Sequence, residues 1–115
     1  MGSHLLSKSS FIRGVQCEKH LYLYKYHYKE MDQLSDMQKA IFKRGTDVGK
    51  LAQQLFPGGI DASPESQFEY DKAVVVTKNL LNEKQKVIYE ASFSSSDVLA
   101  IADIVVNEKS GLKVF

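Results

Sequence analysis

Only one cysteine, Cys17, occurs in these 115 residues. A lone thiol forms no intramolecular disulfide, so the fold rests on its apolar core, and such usage agrees with a reducing compartment. Long apolar runs are missing as well. Nothing approaches the roughly 18 residues of a membrane span, and the N-terminus lacks the apolar stretch of a secretory signal, which points to the cytoplasm. Nor is there an excess of charge of one sign. Fifteen basic against fourteen acidic residues leave a net charge of +1, so the overall balance marks neither a polyanion binder nor an acidic-surface protein, and any partner signal has to be local. Repeats and low-complexity linkers are absent, and the polar turns are too short to separate domains, which leaves one domain at most. Met1 to His4, "MGSH", read as a cloning remnant and carry no weight in the fold.

What is present is helical first and extended later. Serines able to cap precede "FIRGVQCEKHLYLYKY", and the spacing predicts a helix from about Ser9 to Tyr26, although the tyrosines of "YLYKYHY" alternate as in a strand. A second helix is better marked. Ser35 stands three residues before Gln38, the spacing of a capping box, and Ile41, Val48, Leu51, Ala52 and Leu55 form an apolar stripe that runs to Pro57-Gly58-Gly59. Gly45 and Gly49 inside it each cost about 1 kcal/mol against alanine, which implies close helix packing or the approach of a ligand, packing being the commoner reason. Ser63-Pro64 reads as the opening of a third helix, with Phe68, Ala73, Val76, Leu80 and Leu81 on its apolar face. From Val87 the period falls to two. A strand runs to about Phe93, "SSSD" turns, a second strand covers Val98 to Val106, and "LKVF" begins a third. The expected class is therefore α+β, three helices and then an antiparallel meander. A four-residue strand carrying Leu112, Val114 and Phe115 makes a poor terminus, so the chain reads as cut, with a sheet edge open to self-association.

Two acids break the strand pattern. Glu90 lies in "VIYEASF" and Asp103 in "VLAIADIVV". With an even-numbered turn the two share one sheet face, opposite or a diagonal apart, close enough to hold one cation. Unneutralised carboxylates at that distance repel, and a hard divalent ion relieves them. Glu90 equally suits a half-exposed sheet or a pairing with Lys86 or Lys113. Asp103 has only apolar neighbours in its strand, so it reads as a buried acid in need of a partner.

The ordered segments "SKSSFIRGVQCEKHLYLYKY", "FKRGTDVGKLAQQLFPGG", "VIYEASF", "VLAIADIVV" and "GLKVF" together resemble the N-terminal half of a RecB-like PD-(D/E)XK nuclease, and within that superfamily a bacterial branch described as a domain of unknown function. The resemblance runs from Leu5 to Phe115. It implies a restriction-endonuclease-like α/β/α core and metal-dependent phosphodiester hydrolysis on DNA, with magnesium or manganese held by Asp103 and, secondarily, Glu90 as the catalytic acids. It also implies that Glu-x-Lys, the other half of the site, would follow "LKVF", so the chain alone is expected to be inactive. Relatives often carry a metal-binding histidine after the Gly-Thr pair of the second helix. This chain has Gly49 there, and Asp47 on the same turn is a substitute or, more commonly, a solvated helix residue. Cys17 resembles the leading cysteine of iron-sulfur nucleases, whose other three cysteines this chain lacks, so a buried thiol on a helix is the plainer expectation.

Basic and aromatic residues interleave in the first helix. Lys19 and Lys25 with Tyr22 and Tyr26 are the expected nucleic-acid contacts, because cations hold phosphates and aromatic faces stack unpaired bases. The same tyrosines are also ordinary core and rim residues. A non-catalytic module that keeps the fold for nucleic-acid or protein contact is the alternative to the enzyme.

Overall fold

In a computed structural model of the chain, residues 5–66 and 68–115 are described, and the four residues of the presumed remnant lie outside them. Four α-helices accompany a four-stranded mixed sheet: α1 (Lys8–Gln16), α2 (Glu18–Tyr26), α3 (Asp36–Gln54), β1 (Ile60–Asp61), α4 (Tyr70–Asn82), β2 (Val87–Ser95), β3 (Val98–Glu108) and β4 (Gly111–Val114), with a 3-10 turn over Tyr28–Glu30. The strands lie in the order β1-β2-β3-β4, β1 parallel to β2 and the others antiparallel. The α+β expectation therefore holds. The simple order of helices followed by a meander does not, because β1 comes before the last helix.

The first predicted helix is two. Cys17 adopts an extended conformation, φ −165° and ψ 115°, capping α1 and opening α2. The fold-back brings Leu21 close over Gly14, where a Cβ would stand 3.0 Å from Leu21 Cδ2. Cys17 is consequently exposed at the junction, not buried on a helix. In α3 the expected capping box is complete: Ser35 Oγ accepts from Gln38 N at 3.2 Å while Gln38 Oε1 accepts from Ser35 N at 3.0 Å. The third predicted helix starts later than Ser63-Pro64 suggests. It begins at Tyr70, and Phe68 lies before it, edge-on to the ring of Tyr28 at 6.0 Å.

The core lies on both faces of β2 and β3. On one face Ile88, Ala91, Ala102 and Val105 pack with Ala62 under Leu80 and Leu81 of α4. On the other, Val87, Ile104 and Val106 pack with Tyr89 against Ala52 and Phe56 at the end of α3. A buried polar bond ties α4 to the sheet, Ser92 N donating to Thr77 Oγ1 at 3.0 Å. Tyr89 fastens the turn after α3. Its hydroxyl donates to Phe56 O at 2.5 Å and accepts from Gly59 N at 3.1 Å, and its ring fills the space a side chain at Gly59 would need.

Candidate functional site

The β2–β3 hairpin turns through Ser96 and Asp97 alone, both at positive φ (48° and 64°), the two-residue turn whose twist suits paired strands. An even turn brings the two acids opposite each other. Tyr89 pairs with Ile104 and Ala91 with Ala102, and Glu90 and Asp103 stand between those pairs without a ladder pairing of their own. The reason is backbone: Glu90 has φ +53°, a left-handed conformation that non-glycine residues adopt at a cost of about 1–3 kcal/mol. Side-chain alternation slips across this point. Val87 and Tyr89 face the α3 side and Ile88 the α4 side, yet Ala91 and Phe93 join Ile88. On β3, Ile104 and Val106 face α3, whereas Ala102 joins Val105 on the α4 side. The acids sit where the alternation slips, so neither displaces a core residue.

Both carboxylates line a cleft of about 480 Å³ between the sheet and α3. Its sheet wall is Asp61, Ser63, Glu90, Asp103 and Ile104, and its helix wall runs from Gly45 to Gln53. Asp103 is exposed to this cleft, which corrects the expectation of a buried acid; the slip in alternation gives it the polar face that the sequence pattern denied it. Glu90 is half-buried, and its carboxyl is pushed above the usual range by burial first, then by the negative charges of Asp103 and Asp61. It has no lysine partner among the described residues: Lys113 instead reaches Glu108 at 3.3 Å.

Asp61 is the site residue that sequence reasoning missed. It closes a strand of two residues, too short to show a period, and pairing with β2 places it beside Tyr89. The sequence signal was the chain's exit from Pro57-Gly58-Gly59 into a β-branched residue and an acid just before Ser63-Pro64. Asp61 also accepts from Ser63 N at 2.8 Å and from the Ser63 hydroxyl.

Gly45 and Gly49 have nothing within 4 Å of where a Cβ would stand, so close packing is not their reason; both line the cleft. Lys50 is the one cationic side chain among the lining residues. Asp47 is not among them. It is exposed and bound to Lys43 at 2.7 Å on the same helix, the solvated reading.

The expected nucleic-acid residues divide. Lys19, Tyr22 and Tyr26 follow helical spacing along the outside of α2, with Tyr22 and Tyr26 55% and 61% exposed and their rings 5.0 Å apart. Lys25 turns away and donates to Leu5 O at 3.3 Å. Arg13 lies 3.9 Å over the Tyr24 ring. Half-buried Tyr70, at the start of α4, has its hydroxyl pKa raised by burial first, then by Tyr24 and Glu90.

No three histidine, cysteine, aspartate or glutamate side chains among the described residues are grouped closely enough to hold a metal ion by themselves. The carboxylate oxygens of the cleft nonetheless suit magnesium, which keeps several waters and takes one or two carboxylates together with phosphate oxygens. A lone exposed Cys17 does not make an iron-sulfur site. Among the described residues no helix is long and apolar enough to cross a membrane. Compared with known proteins, the chain matches no family model, no curated protein and no solved structure.

Proposed function

We propose that the cleft is part of the active site of a metal-dependent nuclease that hydrolyses phosphodiester bonds in DNA, carried on a restriction-endonuclease-like PD-(D/E)XK core. The observation that supports this reading is the opposition of Glu90 and Asp103, with Asp61 beside them, at a point of backbone strain where burial, then the charges of Asp103 and Asp61, raise the Glu90 carboxyl above its usual range, a pressure that a cation would relieve. Asp103 and Glu90 are the residues that would hold magnesium or manganese. The ion, when bound, would supply charge neutralisation and a water of lowered pKa. Lys50, across the cleft, offers positive charge to a phosphodiester, and the bare Gly45–Gly49 wall leaves room for a backbone to lie along α3.

The chain contains no Glu-x-Lys, so the lysine expected to assist the attacking water is not among its residues. Two predictions follow for this chain. Manganese titrated with electron-spin detection binds, and Asp103→Ala lowers the affinity by about tenfold or more, because one of at most two direct carboxylates is lost. Labelled DNA, single-stranded or duplex, stays intact in millimolar magnesium. Undiminished manganese binding by Asp103→Ala would remove the residue from the site, and cleavage that survives the substitution would refute the nuclease reading.

A second reading, a non-catalytic nucleic-acid-binding module, draws on the N-terminal helices. Lys8, Arg13, Lys19, Lys25 and Lys29 against Glu18 and Glu30 give residues 8–30 a net +3 in a chain whose total is +1. With Tyr22 and Tyr26 exposed among them, this face suits an unpaired strand. DNA affinity that needs Tyr22 and Lys19 but is indifferent to Asp103 and to divalent metal would favour it.

A further inference from the structure

Three carboxylates line the cleft, those of Asp61, Glu90 and Asp103, and Lys50 is the one cation among the lining residues. None of the three acids is in an ion pair among the described residues. Glu90 and Asp103 have a role as metal ligands, whereas Asp61 has none yet. Among the described residues no three acidic, histidine or cysteine side chains come close enough to share an ion, so Asp61 does not join the other two on one metal. Its Oδ1 is moreover engaged, accepting from Ser63 N at 2.8 Å and from the Ser63 hydroxyl. The backbone holds it still. Asp61 pairs with Tyr89, the residue before Glu90, and Ala62 N donates to Tyr89 O at 2.9 Å immediately after it. An exposed carboxylate anchored in this way is a fixed negative charge, and its field reaches the site: after burial and Asp103, it is the charge that raises the Glu90 carboxyl.

We infer that Asp61 is a positioning residue of this cleft, which acts through the ion held by Glu90 and Asp103 without touching it: it strengthens the hold on a divalent cation and repels a phosphodiester that arrives without one. The inference rests on the reading of Glu90 and Asp103 as metal ligands. With three negative charges against one positive on its walls, the cleft turns a further negative charge away, and a divalent ion brings that sum to zero. Strand entry therefore follows the metal. Unit charges several ångströms apart at a protein surface change an equilibrium by about fivefold. A fixed charge moves the two affinities in opposite directions, ion up and strand down, and leaves unchanged the factor by which ion and strand strengthen each other.

Asp61→Asn tests this, because the amide oxygen still accepts from Ser63 and only the charge is lost. Ser63→Ala is the counterpart, since it breaks the turn and keeps the charge. Manganese affinity is read by electron-spin titration, and metal-free strand affinity by nuclear magnetic resonance titration with a thymidine trinucleotide, followed at the amides of Gly45 and Gly49. Asp61→Asn is expected to weaken manganese by about fivefold and to tighten the trinucleotide by a similar factor. Both shifts are expected to fade in 1 M salt, where charges are screened beyond about 3 Å. Ser63→Ala is expected to leave both affinities within about twofold. Manganese affinity unchanged by Asp61→Asn overturns the inference and leaves the metal reading standing. So does a trinucleotide bound no better by Asp61→Asn than by the unaltered chain. A loss of manganese that persists in 1 M salt makes Asp61 a ligand, and Ser63→Ala reproducing the effect makes it a structural residue of the turn; either result overturns the inference. An unaltered chain that binds no manganese removes the metal reading itself, and the inference with it.

Discussion

Glu90 concentrates the chemistry of this molecule into one residue: a left-handed backbone, partial burial, and two acids as neighbours. Because its carboxyl holds a proton more tightly folded than unfolded, protonation favours the fold. The contribution of this group to stability is therefore greatest at low pH and falls as pH rises from the ordinary glutamate value of about 4.3 through the raised one. Glu90→Gln keeps the shape and removes the charge. Its melting temperature is expected to match that of the unaltered protein near pH 4 and to exceed it increasingly towards neutrality, with saturating magnesium narrowing the gap. Parallel melting profiles would show that neither burial nor the charges of Asp103 and Asp61 raise the Glu90 carboxyl. Both hairpin acids were legible in the sequence because each interrupts a two-residue period. The exposure of Asp103 was not, because the slip in alternation comes from Glu90's φ, which no spacing announces. Asp61 escaped because a two-residue strand has no period to break.

At the scale of elements, α3 shows both how much sequence can specify and where it stops. Its start was readable from Ser35 and Gln38, whose reciprocal bonds are local chemistry. The break at Cys17 was not readable, since no proline or glycine occupies it; it goes with the packing of Leu21 over Gly14, a contact between two helices that no local signal announces. The delayed start of α4 is similar, for Glu69 offers no side-chain cap and Phe68 is engaged with Tyr28. The glycines of α3 give a prediction that separates stability from function. With open space at both Cβ positions, Gly45→Ala and Gly49→Ala are each expected to stabilise the chain by about 1 kcal/mol, measured by urea unfolding, while narrowing the cleft for any bound phosphate backbone. Destabilisation by either would mean that the helix wall is packed after all.

For the molecule as a whole, packing is concentrated in β2, β3 and α4, where Ile88 and Val105 are fully buried. Native-state hydrogen exchange is expected to divide accordingly, with amides of β2 and β3 opening only with global unfolding and those in the first half of α3 opening locally. Uniform protection along α3 in dilute solution would contradict that division. The fastening of α3 is at its C-terminal end, where Ala52 and Phe56 meet the sheet and Tyr89 Oη bonds Phe56 O and, at 3.3 Å, Gln53 O. A rod pinned at one end is a lever. A turn of about 6° at that pivot carries the far end of a 28 Å helix through about 3 Å and Gly45, halfway along it, through about 1.5 Å. The aperture between the carboxylates and the glycine wall is thus governed by the angle of the rod. Whatever grips its outer side sets that angle from outside the site.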